Sequence, residues 1–159
     1  KEVTVEHFHD LGKLLFGFVF FWTYIAFSQY LLIWYANIPE ETGWFAVRQS
    51  QGWQTVSLLL IVGHFALPFA CLMARSLRRN KFYIGIWCVF LLVMHAVDLY
   101  WLVIPSVSPS AAGPALIDFL CLFGVGSLWL GVTLRSLLSH RLLNTGDPRL
   151  PHSLAFHNV

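Results

Sequence analysis

Four stretches of this chain, 11–36, 53–74, 82–104 and 115–138, are apolar almost without interruption. A helix needs roughly 20 apolar residues to cross the hydrocarbon layer of a bilayer, and each stretch is that long. In lipid every backbone N–H and C=O must be satisfied within the protein, so such stretches can only be helices. Composition agrees: 57% of the 159 residues are apolar and 11% are charged, against about 25% charged in a soluble domain. Asn37-Ile38-Pro39 stops the first span, Pro105 is expected to stop the third, and Pro114 opens the fourth near its first turn, where proline fits. The connections are short, so consecutive helices should pack as antiparallel neighbours.

Basic residues collect on one side of these spans. The 75–81 turn carries Arg75, Arg78, Arg79 and Lys81, the segment after the fourth span carries Arg135, Arg141 and Arg149, and Lys1 and Lys13 flank the first span. The connections on the other side hold Arg48 alone (38–52) and no basic residue (105–114). Cytoplasmic loops are the ones enriched in Lys and Arg. The expectation is an all-α integral membrane bundle of four transmembrane helices with both ends cytoplasmic, over 1–143, followed by an extended C-terminal tail, 144–159. The chain begins at Lys1 rather than Met and shows no signal peptide, so it reads as part of a longer protein. The basic residues are not interleaved with aromatics, which argues against nucleic-acid binding. Cys71, Cys88 and Cys121 lie inside apolar runs without metal-ligand spacing, and read as small buried hydrophobes.

Ionisable groups at membrane depth are expensive and are kept where they line a pathway or pair with one another. His95 and Asp98 are one helical turn apart, a spacing that puts both on one face. His64 lies at similar depth in the second span, and Asp118 sits in the first turn of the fourth. By depth, Asp118, Asp98, His95 and His64 step from the outer surface to the bilayer centre, as the groups of a proton half-channel would. Pro68 has no N–H to give back to the carbonyl of His64. Stripes of Ser57, His64, Pro68, Cys71 and Arg75, of Cys88, His95, Asp98 and Leu102, and of Lys13, Gly17, Tyr24, Ser28 and Tyr35 are the faces expected to look inward. Gly124, Gly126, Ser127 and Gly131 suit close packing of the fourth span. Each candidate has a plainer reading: His64 as a helix-to-helix hydrogen bond, Asp118 as a complement to its own helix dipole.

A second cluster precedes the first span. His7, His9, Asp10 and Lys13 bring four titratable groups to the cytoplasmic side. They are candidates for a proton entrance or a partner contact, with a solvated helix start as the alternative.

The segment His7-Phe8-His9-Asp10-Leu11-Gly12-Lys13-Leu14-Leu15-Phe16 and the runs Phe21 to Tyr30 and Trp34 to Thr42 resemble the second large membrane subunit of alternative complex III. The tail Asp147-Pro148-Arg149-Leu150-Pro151-His152-Ser153-Leu154-Ala155-Phe156 is similar to that family's C-terminal end. Such subunits are NrfD-like, related to polysulfide-reductase membrane anchors. The resemblance implies a protein of about ten spans whose C-terminal portion this is, located in the bacterial inner membrane. It implies a respiratory quinol:electron-acceptor oxidoreductase that takes electrons from menaquinol. The partners it implies are an NrfD-like sister subunit, an iron–sulfur subunit and c-type cytochrome subunits, besides membrane lipid. Haem c and iron–sulfur clusters would reside in those partners, with no cofactor in this chain. The subunit resembled is the one proposed to carry a proton path, while the quinol site is assigned to its sister. His64, His95, Asp98 and Asp118 come to that path from depth and face alone.

Three other readings compete. His64 and His95, at similar depth on antiparallel helices, could ligate a b-type haem. The chain could be a purely structural anchor. Quinone could bind here, with Trp101, Tyr100 and His95 lining its headgroup.

Overall fold

The computed structural model describes residues 5–50, 52–108, 114–140 and 146–155. Lys1, Arg141 and tail positions 144–145 and 156–159, on which part of the orientation and tail expectations rests, lie outside the described residues. Among the described residues every regular element is a helix. Four helical stretches are long and apolar enough to cross a membrane: Val5–Ala36, Trp53–Met73, Lys81–Val107 and Leu116–Ser139. The chain forms two compact units, Lys1–Ala112 and Gly113–Val159, a division one span earlier than the four-span bundle expected over 1–143.

The first unit begins with α1 (Val5–Ala36). Asn37 then takes a left-handed conformation (φ 49°), and Ile38 is extended, as a residue before proline prefers. Pro39 opens α2 (Pro39–Arg48), a short helix with Glu40 and Glu41 in its first turn and Arg48 in its last, both favourable to its dipole. Hydropathy alone places no helix in this connection. Gly52, at φ 89°, turns the chain into the second span. That span is α3 (Trp53–Leu60), a π-helical turn Ile61–Ala66, and α4 (Leu67–Met73). A π turn of this kind is commonest at functional sites, and it directly precedes Pro68, whose missing N–H unsettles the ordinary ladder.

Extended Ala74 separates α4 from the short α5 (Arg75–Arg78). Asn80 caps α6 (Lys81–Val107), its side-chain oxygen accepting from the Phe82 N–H at 3.0 Å. Against expectation, Pro105 does not stop this helix, which runs on to Val107.

The three spans of this unit run up, down and up. Glu6 meets Arg79, Phe16 meets Phe69 and Trp22 meets His64, so α1 and the second span are antiparallel. Tyr83 donates to the Cys71 carbonyl and Trp101 to Ser57, so the second span and α6 are antiparallel too. Their shared core is Val19, Leu72, Trp87 and Leu91, with Phe16 and Phe69 packed against it.

The inward face of α1 differs from the expected stripe. Tyr24 and Tyr35 are exposed, and Gly17 has open space beside it. The helix instead turns His9, Gly12 and Val19 inward, a heptad-like spacing that continues to half-buried Thr23. Cys71 and Cys88 are half-buried and Cys121 is exposed, where burial of all three was expected; all are free thiols.

The second unit holds α7 (Leu116–Ser139) and the one-turn α8 (Leu150–Leu154). The tail is therefore not extended throughout. Helix α7 carries Gly124, Gly126 and Gly131 along its length.

Candidate functional site

Halfway along the first unit, one side chain from each span converges. Asp98 of α6 is buried, and its Oδ2 accepts a hydrogen bond from Trp22 Nε1 of α1 at 2.9 Å. The Trp22 ring lies flat on His64, with centroids 4.0 Å apart and 23° between planes. His95 Nδ1 stands 4.0 Å from the same Asp98 oxygen, and its ring is 6.1 Å from that of His64. The inward stripes expected of the second and third spans thus meet, and His64, His95 and Asp98 form one group.

Trp22 holds this group together, and sequence reasoning missed it. Tryptophans in membrane helices read as interface belt, but the indole here contributes both a face and a donor. A hydrogen bond to a charged group is worth about 1.5–3 kcal/mol, which offsets part of the cost of taking a carboxylate to this depth. The i, i+3 pair itself is looser than its spacing promised. At 4.0 Å, His95 and Asp98 are beyond hydrogen-bond reach, and the His95 side chain is 55% exposed. His64, by contrast, is buried, and neither ring nitrogen has a hydrogen-bond partner among the described residues.

The π-helical turn sets where His64 points. Gly63, next to it, faces Met94, next to His95; a Cβ on Gly63 would stand 2.6 Å from Met94 Sδ. A methyl there would require the flexible Met94 thioether to move aside.

A cavity of about 910 Å³ adjoins the group. Asp98 and Trp22 line one part of it, and Ser57, Trp101, Tyr30 and Arg48 line others. Most of its wall is apolar, with a few polar groups, the usual character of a small-molecule site. Of the three residues expected around a quinone headgroup, Trp101 is in the wall. Tyr100 instead packs against Trp53, and neither Tyr100 nor His95 lines the cavity.

Arg48 is the second residue missed. It is fully buried at the end of α2 and donates to the carbonyls of Trp44 (2.8 Å), Trp101 (3.1 Å) and Leu102 (2.6 Å) and to Ser106 Oγ (3.2 Å). Its guanidinium also lies 3.3 Å over the Trp44 ring. Trp101 is four residues before Pro105, so its carbonyl is the one the proline leaves without a helical partner. Arg48 supplies that partner, which explains why α6 passes through Pro105 unbroken. Burial draws the Arg48 pKa down to about 10, still far above neutrality, so the charge persists. The legible signal was the single cation of the 38–52 connection, paired with a proline in an apolar helix.

Asp118 belongs to the second unit, where its Oδ2 accepts from the Ala115 N–H at 2.8 Å and caps α7. The four titratable groups before the first span do not share a surface. His9 is buried, His7 is half-buried, and Asp10 and Lys13 form an exposed ion pair at 2.7 Å. No family model matches the chain, and no curated protein matches it.

Proposed function

We propose that this chain is part of an NrfD-like membrane subunit of a respiratory quinol oxidoreductase of the alternative complex III type, and that it carries a proton-exchanging site in mid-membrane. The observation that carries this reading is the buried Asp98 carboxylate, held by Trp22 beside His64 and His95. Ionisable groups from two spans, held by a tryptophan of a third, gathered at such depth are characteristic of proton relays. Histidine, whose ordinary pKa is near neutrality, suits proton exchange.

In this reading the basic end of the first unit faces the bacterial cytoplasm, and the cavity beside Asp98 opens toward the other half of the membrane. Asp98, which lines the cavity, exchanges protons with water there, His95 stands beside it on the same helix, and His64 receives protons on its buried side. Trp22 is a positioning residue that fixes carboxylate and imidazole together. The cavity also has the size and apolar lining for a quinone ring, with Asp98 able to accept from a quinol hydroxyl. Electron-carrying haem c and iron–sulfur clusters belong to partner subunits, and the exposed apolar surface of α7 is left for those partners and for lipid.

The test is Asp98→Asn in the complete complex, reconstituted into vesicles, with quinol oxidation and proton movement followed together. Asparagine keeps an acceptor for Trp22 and removes the titrating group. Assembly and electron transfer are expected to persist while protons moved per electron fall. Unchanged coupling would remove Asp98 from the mechanism and leave the scaffold reading.

A second reading rests on the 6.1 Å approach of the His64 and His95 rings, a pair that could ligate a b-type haem. A Soret band with alpha and beta bands in the purified protein would decide for it.

A further inference from the structure

At the opposite end of the first unit, three buried polar atoms have no hydrogen-bond partner among the described residues: both ring nitrogens of His9, and Nε of Arg78. They belong to one place. His9, Gly12 and Phe16 follow one another down the inward face of α1. The stem of Arg78 crosses at Gly12, where a Cβ would stand 3.0 Å from Arg78 Cβ, and its guanidinium lies 5.8 Å from the Phe16 ring centre. Arg78 Nη2 reaches the Met73 carbonyl only at 3.4 Å.

Basic residues surround this place: Lys13, Arg75, Arg78 and Arg79 all act electrostatically on the His9 ring. Glu6 meets Arg79, and Asp10 meets Lys13. Buried donors left without acceptors are costly, and native folds rarely leave several together. A bound anion with several acceptor oxygens would satisfy the Arg78 Nε–H and one His9 N–H at once. The site also sits where the first and third spans begin and the second ends, at the depth of lipid headgroups.

We propose that the cluster formed by His9, Gly12 and Arg78, with Arg75 at its rim, binds the phosphate group of an anionic phospholipid. Basic pockets between transmembrane helices are the usual receptors for such headgroups. Arginine's planar fork suits phosphate oxygens better than lysine would. Gly12 is the residue that lets the Arg78 stem lie against α1. The site is independent of the proton reading and would stand if that reading failed.

The test is native mass spectrometry of the purified full-length protein, reloaded with phosphatidylglycerol, with phosphatidylcholine, or with inorganic phosphate. Wild type is compared with Arg78→Gln, His9→Phe and Arg75→Gln, and with Arg135→Gln in the second unit as control. The unmodified protein is expected to retain phosphatidylglycerol over phosphatidylcholine. Retention should fall about fivefold for each basic side chain removed, the worth of one cation at an anionic headgroup, and Arg135→Gln should leave it unchanged. If inorganic phosphate binds as well as the lipid and is lost in the same variants, the phosphate site stands and its source is soluble. Equal retention by wild type and all variants overturns the proposal. Arg75 is exposed, so Arg75→Gln keeps the test decisive if Arg78→Gln does not fold.

Discussion

Arg48 shows how one side chain can repair another residue's defect. Pro105 removes a backbone donor from the last turn of an apolar helix, and Arg48 reaches across from α2 to donate to the orphaned Trp101 carbonyl. Replacing it with leucine leaves that acceptor, and three others, without their donor. Arg48→Leu is expected to lower stability in detergent by about 3 kcal/mol or more, since each hydrogen bond to a charged group is worth about 1.5–3 kcal/mol. The double variant Arg48→Leu/Pro105→Ala returns an N–H to the helix and should recover about 1 kcal/mol. Thermal unfolding of the four-member cycle measures both; additive losses would show that the arginine and the proline are uncoupled.

Among elements, the second span is the most informative. Its π-helical turn and Gly63 allow His64 to meet Trp22 while Met94 fills the gap beside His95. Gly63→Ala overpacks that gap and should cost about 1–3 kcal/mol. Met94→Ala should cost less in this variant than in the wild type, because it removes the sulfur that the new methyl would strike and the methyl fills part of the space left. An equal cost in both would mean that the glycine serves the backbone rather than the contact.

The existence of the four spans was legible because hydropathy over twenty residues is a strong signal, while their ends shifted by a few residues, as at Val5 and Pro105. That His95 and Asp98 share a face was legible because helical periodicity fixes faces; that this face meets His64 was not, because the rotation of one helix against another is written in no local pattern. The inward face of α1 was not. Its apolar residues run all round the helix, so the polar edges of Tyr24 and Tyr35 gave a false stripe, and the true one runs through His9, Gly12 and Val19. Helix α2 escaped notice because ten residues with little apolar content resemble a loop. Trp22 and Arg48 were missed for a shared reason: their roles depend on partners 76 and 53 residues away in sequence, which no local pattern records.

Along the first unit two polar groups share an axis, Asp98 with its histidines halfway along and His9 with its arginines at the basic end. Between them stand Val19, Leu72, Trp87 and Leu91, with Phe16 and Phe69 packed alongside. Those side chains leave Leu72 with no exposed surface at all. A charge crossing this layer would shed its hydration with nothing to replace it. The layer therefore acts as an electrical insulator, holding off a short circuit of the membrane voltage through these three helices. Leu72→Asn should make the bundle leaky: vesicles carrying it, loaded with a pH-sensitive dye, should dissipate an imposed gradient faster than wild type with no substrate present. An energy-conserving membrane depends on that resistance as much as on its conductors, because any potential stored across it lasts only as long as the dielectric holds.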